Sequence, residues 1–190
     1  MLSQQYKGGL LLLLIFLFSM WAVNNEPDEQ VKQETRQRVE HSIDHFAENY
    51  SKLTLDKSGE PANKLTAKLV KHFSDTDETE LTTAVLIVNK GDLPPWKIRS
   101  EKALLADDGS AIFMQGKVFI DREAVKNVRG VHIKTSELHI QPKKDYAETA
   151  EWAELVTGLN TLSGVGLKLV YKDPIYIELL ADVKGKHVYK

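Results

Sequence analysis

Apolar and polar residues alternate with a period of two in several segments of this chain. The clearest run extends from Ile175 to Val183, where apolar residues occupy the odd positions and Glu178 is among the residues between them; Leu180 breaks the pattern. Such alternation is typical of a β-strand with one buried face and one solvated face. Shorter runs of the same kind cover residues 64–69, 96–99 and 112–120.

Clusters of Gly, Pro, Asp and Ser separate these runs and determine the expected fold class. No gap between the runs has the length and period of a helix, so consecutive strands must be joined by hairpins and run antiparallel. We therefore expect an all-β domain over residues 46–190, with a first strand at 46–55 and a last strand at 175–183. The turn clusters lie at 56–59, 74–77, 91–95, 107–109, 142–145 and 172–174.

The start of the chain has a different pattern. Residues 10–23 are fourteen consecutive residues with one hydroxyl group and no charge. As a helix they would span about 21 Å, at about 1.5 Å per residue, which is short of a hydrocarbon core of about 30 Å. Including residues 6–9, with Lys7 snorkelling and Trp21 at the far interface, gives a segment just long enough to cross. The expected transmembrane anchor is residues 1–23.

A cleaved signal peptide is the competing interpretation, because Lys7 would supply its basic region. The cleavage site is poor, since Ala22 is preceded by Met20 and Trp21 rather than by small residues. A retained anchor is therefore favoured, and a buried core helix is the weakest alternative. Lys7 and the amino terminus before the segment, with acidic residues just after it, place the rest of the chain on the outer side of the membrane. The polar residues 24–45 form a juxtamembrane stalk.

Composition narrows the function classes. The 190 residues include 25 Lys plus Arg, 27 Asp plus Glu and no Cys. Without Cys there is no disulfide framework, no thiol nucleophile and no Cys-ligated metal. Residues 46–190 carry 21 basic and 21 acidic side chains. A nucleic-acid-binding domain normally has a basic excess, so this domain is not expected to bind nucleic acid.

Motifs for catalysis and cofactors are missing. The chain contains no G-x-S-x-G elbow, no phosphate-binding P-loop and no H-E-x-x-H motif, and Gly164-Val-Gly166 lacks the third glycine of a dinucleotide site. His41 and His45 are four residues apart, as helical metal ligands would be, but lack the Glu of the zincin motif, so a solvated face is favoured. We expect no enzyme activity, no cofactor and no metal.

Several short segments, taken in order, resemble the LptC family of lipopolysaccharide export proteins. No single segment is specific; their order and spacing carry the resemblance, which covers the anchor and residues from about 44 to 185. Ala84 stands where Pro is common, and residues 151–154 are hard to align, which leaves open the pairing of that strand and the role of Trp152. The segments are Leu65-Thr-Ala67, Thr79-Glu-Leu-Thr82, Pro94-Pro-Trp-Lys-Ile-Arg-Ser-Glu101, Ala106-Asp-Asp-Gly109, Met114-Gln-Gly-Lys-Val118, Lys134-Thr-Ser-Glu-Leu138 and Tyr146-Ala-Glu-Thr149.

The resemblance implies a twisted, open antiparallel β-jellyroll held at the inner membrane by one transmembrane helix. It implies a non-enzymatic protein that receives lipopolysaccharide from the LptB, LptF and LptG ABC transporter, with which the helix associates, and passes it to the periplasmic protein LptA. An anchored assembly scaffold with a packed core and no lipid is the alternative from another class. A membrane-tethered hydrolase ranks last, because no nucleophile and base are nominated.

The alternation and the resemblance together predict the site residues. Acyl chains would contact the apolar parity of the strands, because each buried CH₂ contributes about 0.8 kcal/mol. The first edge, next to the stalk, would face the transporter, and the last edge would add a strand of LptA. The predicted lipid contacts are Leu65, Ala67, Leu69, Trp96, Ile98, Ile112, Met114, Val118, Ile120, Leu138, Ile140, Leu167, Leu169, Ile175, Ile177 and Leu179. The predicted partner-binding edges comprise Phe46, Tyr50, Leu53, Leu55, Leu179, Ala181 and Val183.

Overall fold

The chain forms two compact units, Met1–Glu40 and His41–Lys190. The computed structural model describes residues 16–21, 42–91, 93–106, 109–126 and 128–188. Residues 16–21 are helical and their large apolar side chains are exposed. Within the described residues, no helix is long and apolar enough to cross a membrane. The other residues of the predicted anchor lie outside the described residues. Residues 24–41 of the predicted stalk, which include His41, lie outside them too.

The second unit is a nine-stranded antiparallel sheet in which each strand pairs with the next, in the order β1 to β9. The prediction of an all-β antiparallel domain is confirmed. β1 begins three residues before its predicted start. β9 begins one residue later than predicted and continues beyond its predicted end. The strands are β1 Ile43–Leu55, β2 Pro61–Phe73, β3 Glu78–Lys90, β4 Leu93–Leu105, β5 Ile112–Arg122, β6 Val131–Gln141, β7 Tyr146–Thr157, β8 Asn160–Val170 and β9 Tyr176–Lys186. A 3-10 helix, Pro142–Lys144, precedes β7.

The predicted turn clusters all fall at connections between strands, with one difference in extent. Pro94 and Pro95 lie inside β4, where the pairing with β3 is interrupted between Val88 and Lys90. A proline removes a donor from the ladder, so an interruption near the start of a strand is where it is tolerated. Residues 151–154, which the sequence left without a partner, lie within β7 and pair with β8 from Trp152 onward.

Most strands depart from extended geometry near their middle. Left-handed backbone angles occur inside six strands. In β4 and β7 a register shift lies near the middle of the strand. Left-handed residues and bulges of this kind bend a strand and change which parity faces inward. In β3, Leu81 and Ala84 are both fully buried on either side of Thr83. The left-handed residues are Asn49, Thr83, Gly116, Glu137, Gly166 and Asp182.

The change of parity corrects one predicted position in β2. Leu69 was assigned to the inner face together with Leu65 and Ala67, by continuing the two-residue alternation. The structure instead places Val70 opposite the fully buried Leu81 and packs it against the core, while Leu69 lies opposite Thr82. The inner position at this level is therefore Val70.

The core lies on one face of the sheet and extends from β2 to the end of β8. The sheet is rolled so that distant strands meet. Lys90 at the end of β3 forms an ion pair with Asp145, which precedes β7. Three strands separate these positions in the sheet order, so a flat sheet could not bring them together. Rolling covers the apolar face, whereas the edge strands β1 and β9 contribute no fully buried hydrophobic side chain.

Thr83→Gly tests whether the left-handed backbone at Thr83 in β3 stores strain. Thr83 has a φ of 55°, a region that β-branched residues rarely adopt. Because left-handed geometry costs a non-glycine residue about 1–2 kcal/mol, the substitution should raise the free energy of unfolding by about 1 kcal/mol. Urea denaturation would measure this change. Thr82→Gly, at an ordinary strand position, should lower it by about 0.5–1 kcal/mol; equal losses in both variants would contradict the assignment.

Candidate functional site

Nearly all predicted lipid contacts lie on the inner face, but at different depths. Ile175, Ile177 and Leu179 are partly buried and pack against the core from the β9 side. The other inner-face positions are buried and packed against protein atoms, so space for a ligand must lie where the inner face opens. These buried positions are Leu65, Ala67, Trp96, Ile98, Ile112, Met114, Val118, Ile120, Leu138, Ile140, Leu167 and Leu169.

One opening is a cavity of about 190 Å³ where the two parts of the rolled sheet meet. It is bounded on one side by the end of β1, the start of β2 and the second half of β3. On the other side it is bounded by the segments around the β4–β5 and β6–β7 connections. Aliphatic side chains form its walls, and Lys52 and Lys143 are exposed beside it. The lining residues are Lys52, Thr54, Asn63, Leu65, Leu86, Leu105, Gly109, Ile112, Pro142 and Lys143.

The cavity is smaller than the pockets that hold whole ligands, which measure about 300–1,000 Å³. It has room for part of one acyl chain, and a lipid with several chains would require the sheet to open further. Leu65 and Ile112 are the lining residues that the alternation predicted. The others, such as Leu105 and Lys143, belong to segments that meet only because the sheet rolls, and no local signal in the sequence indicates that meeting.

Polar contacts hold this end of the roll together. Besides its ion pair with Lys90, Asp145 accepts a hydrogen bond at its backbone oxygen from the N–H of Tyr171, at 3.0 Å. Tyr171 is fully buried, and burial together with the nearby carboxylate of Asp145 raises the pKa of its phenol. The phenol stays neutral at physiological pH and acts as part of the core.

The sheet has two free edges, as predicted. β1 pairs with β2 and β9 pairs with β8, and neither has a second strand partner among the described residues. Tyr50 and Leu179, of the predicted edge residues, pack against the core. The others are exposed to solvent along β1 and β9: Phe46, Leu53, Leu55, Ala181 and Val183.

The outer face carries many charged side chains, and some of them form ion pairs. Asp121 accepts a hydrogen bond from Arg99 at 2.6 Å and lies 3.0 Å from Nδ1 of His132. Burial raises the pKa of Asp121, but the hydrogen bonds and charges of His132 and Arg99 outweigh it, so the pKa is lowered overall. Across the described ranges, no group of three or more His, Asp or Glu side chains is arranged to hold a metal ion.

A rolled antiparallel sheet with an apolar inner face and two free edges defines an open β-jellyroll. A family model described as lipopolysaccharide-assembly, LptC-related, matches residues 11–188, and the chain belongs to this LptC family. The resemblance seen in the sequence is confirmed. The chain is therefore a component of lipopolysaccharide transport.

Structural comparison agrees on the fold. The sheet resembles the crystal structure of LptH, the LptA-homologous periplasmic component of the lipopolysaccharide transport device of Pseudomonas aeruginosa. The TM-score is 0.53 at 7% sequence identity, and the match covers 67% of this chain and 95% of that one. At this identity the likeness concerns the fold alone. A search of curated protein sequences gave no match.

Leu65→Phe tests whether the space beside β2 is open. Leu65 lines the cavity, so the larger ring should be accommodated and the free energy of unfolding should fall by less than about 1 kcal/mol. Leu138→Phe is the matched control, because Leu138 is fully buried and is not among the cavity-lining residues. Overpacking there should cost about 1–3 kcal/mol. Similar losses in urea denaturation would show that the space at Leu65 is filled.

Proposed function

We propose that the chain is a non-enzymatic, single-pass inner-membrane protein whose periplasmic jellyroll binds lipopolysaccharide. It receives the lipid from the LptB, LptF and LptG transporter and passes it to LptA. Membership of the LptC family is the observation that carries this proposal. The anchor is residues 1–23, retained rather than cleaved, because Met20 and Trp21 make a poor cleavage site.

The inner face supplies the chemistry for lipid binding. Apolar side chains from β2 to β8 cover it, and partly buried ones continue it to β9. Each CH₂ group of an acyl chain that leaves water for this face contributes about 0.8 kcal/mol. Sugar groups would remain in water outside the roll, because the cost of burying unpaired hydroxyls is several kcal/mol.

The two free edges suit the roles of entry and exit. An edge strand offers unpaired N–H and C=O groups to which a partner can add a strand. β1 follows the stalk in the chain, so we assign it to the transporter side and to LptF and LptG. β9 is the opposite edge of the sheet and is assigned to LptA. Because the edges do not pair with each other, the sheets of the partners can continue this one on both sides.

An assembly scaffold with no lipid is a second candidate, and one observation favours it. Most inner-face residues, such as Met114 and Ile140, are fully buried by protein atoms. If the interior stays in this state, the domain would join its partners through its edges alone. The two functions differ in whether the interior accepts an acyl chain.

Photo-crosslinking in cells separates them. Groups placed at Leu105 and Ile177, which are partly buried on the inner face, should capture lipopolysaccharide. Groups at Lys117 and Glu178, on the outward parity of the strands, should not. Met114 is unsuitable, because a bulky group at this fully buried position would disturb the core. Equal capture at inner and outer positions, or capture at neither, would favour the scaffold.

Proline substitution tests the direction of transfer. Leu179→Pro or Ala181→Pro removes a backbone donor from β9 and should abolish capture of LptA, while co-purification with LptB, LptF and LptG persists. Tyr50→Pro and Leu53→Pro in β1 provide the comparison. If the β1 variants released LptA and the β9 variants did not, the assigned polarity would be reversed. Circular dichroism on each variant confirms that the sheet is intact.

A further inference from the structure

Lys52 is unusual for its position in the sheet. It lies directly opposite Leu65 in the β1–β2 ladder, and directly opposed residues project from the same face. Leu65 belongs to the buried core, so Lys52 rises from the apolar face. Its ammonium nitrogen reaches across the roll, to 3.3 Å from the point where a β-carbon on Gly109 would lie. The charge is therefore held above the cavity rather than directed away from it.

Lys143 brings a second positive charge to the same cavity from the 3-10 helix. Neither lysine forms an ion pair with a carboxylate of the described residues. Three other lysines do: Lys90 pairs with Asp145, Lys102 with Glu80 and Lys134 with Glu154. The cavity thus has aliphatic walls and two lysines with no anion supplied by the described part of the chain.

Asn63 adds a neutral polar group to this site. Its side-chain oxygen is buried and accepts no hydrogen bond from the described residues. Asn63 lines the cavity together with the lysines, so a ligand N–H or O–H entering there would satisfy it. An aliphatic wall, two cations and one hydrogen-bond acceptor match an acyl chain attached to a phosphorylated, hydrogen-bonding head group. A free anion would use the cations but not the aliphatic wall.

We propose that Lys52 and Lys143 bind a phosphate of the lipid while an acyl chain enters the cavity between Leu65 and Ile112. This inference rests on the proposed function and specifies which part of the lipid this end of the roll recognises. The lipid of lipopolysaccharide combines acyl chains with phosphates, so it satisfies both requirements. Phosphate recognition by two ammonium groups favours phosphorylated over dephosphorylated lipid.

The test compares two lipids on the full-length chain purified in a mild detergent. One is labelled lipopolysaccharide, and the other is the same preparation after removal of its lipid phosphates. The wild-type chain should bind the phosphorylated form about tenfold more tightly, because the dephosphorylated lipid cannot form the charge-assisted hydrogen bonds to the two lysines. Lys52→Gln combined with Lys143→Gln should remove this preference and leave binding of the dephosphorylated lipid unchanged.

Matched controls keep the result specific. Lys68→Gln combined with Lys97→Gln removes two exposed charges from the outward parity of β2 and β4 and should retain the preference. Lys52→Arg combined with Lys143→Arg should also retain it, because guanidinium binds phosphate well. Loss of the preference in either control would overturn the assignment, as would its persistence in the double Gln variant.

The outcomes also separate this inference from the proposed function. Equal binding of both lipids by the wild-type chain would overturn the phosphate site and leave lipopolysaccharide binding intact. Binding of neither lipid would remove the proposed function together with the inference. Thermal unfolding of each variant, measured alongside, shows that the changes act on the site and not on the sheet.

Discussion

The structure depends on covering one apolar face of a sheet whose two edges stay apart. A closed barrel would bury that face and remove both edges, and a flat sheet would leave the face in water. Bending most strands near their middle gives a third solution, because one part of the sheet then folds over another. The ion pair between Lys90 and Asp145 joins the two parts at one end. The core, the cavity and the free edges all follow from this bend.

The alternation of apolar residues and the turn clusters were sufficient to predict an antiparallel all-β domain, because both signals are local. The left-handed positions at Asn49, Thr83, Glu137 and Asp182 were not predicted, since none of these residues is a glycine. A change of parity within a strand moves every later residue to the other face. Such a change lies between Ala67 and Val70 in β2, so continuing the alternation assigned Leu69 to the position that Val70 occupies. The anchor falls mostly outside the described residues and stays a prediction.

The sequence predicted the face of the sheet that lines the cavity, but not which residues of that face line it. Two-residue periodicity selects a face, and the buried residues on that face include Met114 and Ile140 as well as the cavity walls. Which of them can meet a ligand depends on contacts between segments far apart in the chain, such as Lys52 of β1 approaching Gly109 of the β4–β5 connection. No local pattern contains that information. A lysine at an inward-facing strand position, such as Lys52, is a weak signal that the space beside it is not filled by packed core side chains.

The small size of the cavity agrees with transfer rather than storage. If a lipid buried all of its acyl carbons at about 0.8 kcal/mol each, a few tens of CH₂ groups would exceed the strongest non-covalent affinities known, about 18–21 kcal/mol. A carrier must therefore bury only part of its lipid. In this sheet, side chains at the centre are fully packed, whereas Ile177 and Leu179 near the β9 edge are partly buried. Tyr50 on β1 and Val70 on β2 are partly buried as well. The inner face is thus least completely covered beside the two free edges, and a lipid that crosses the roll as proposed would enter and leave there.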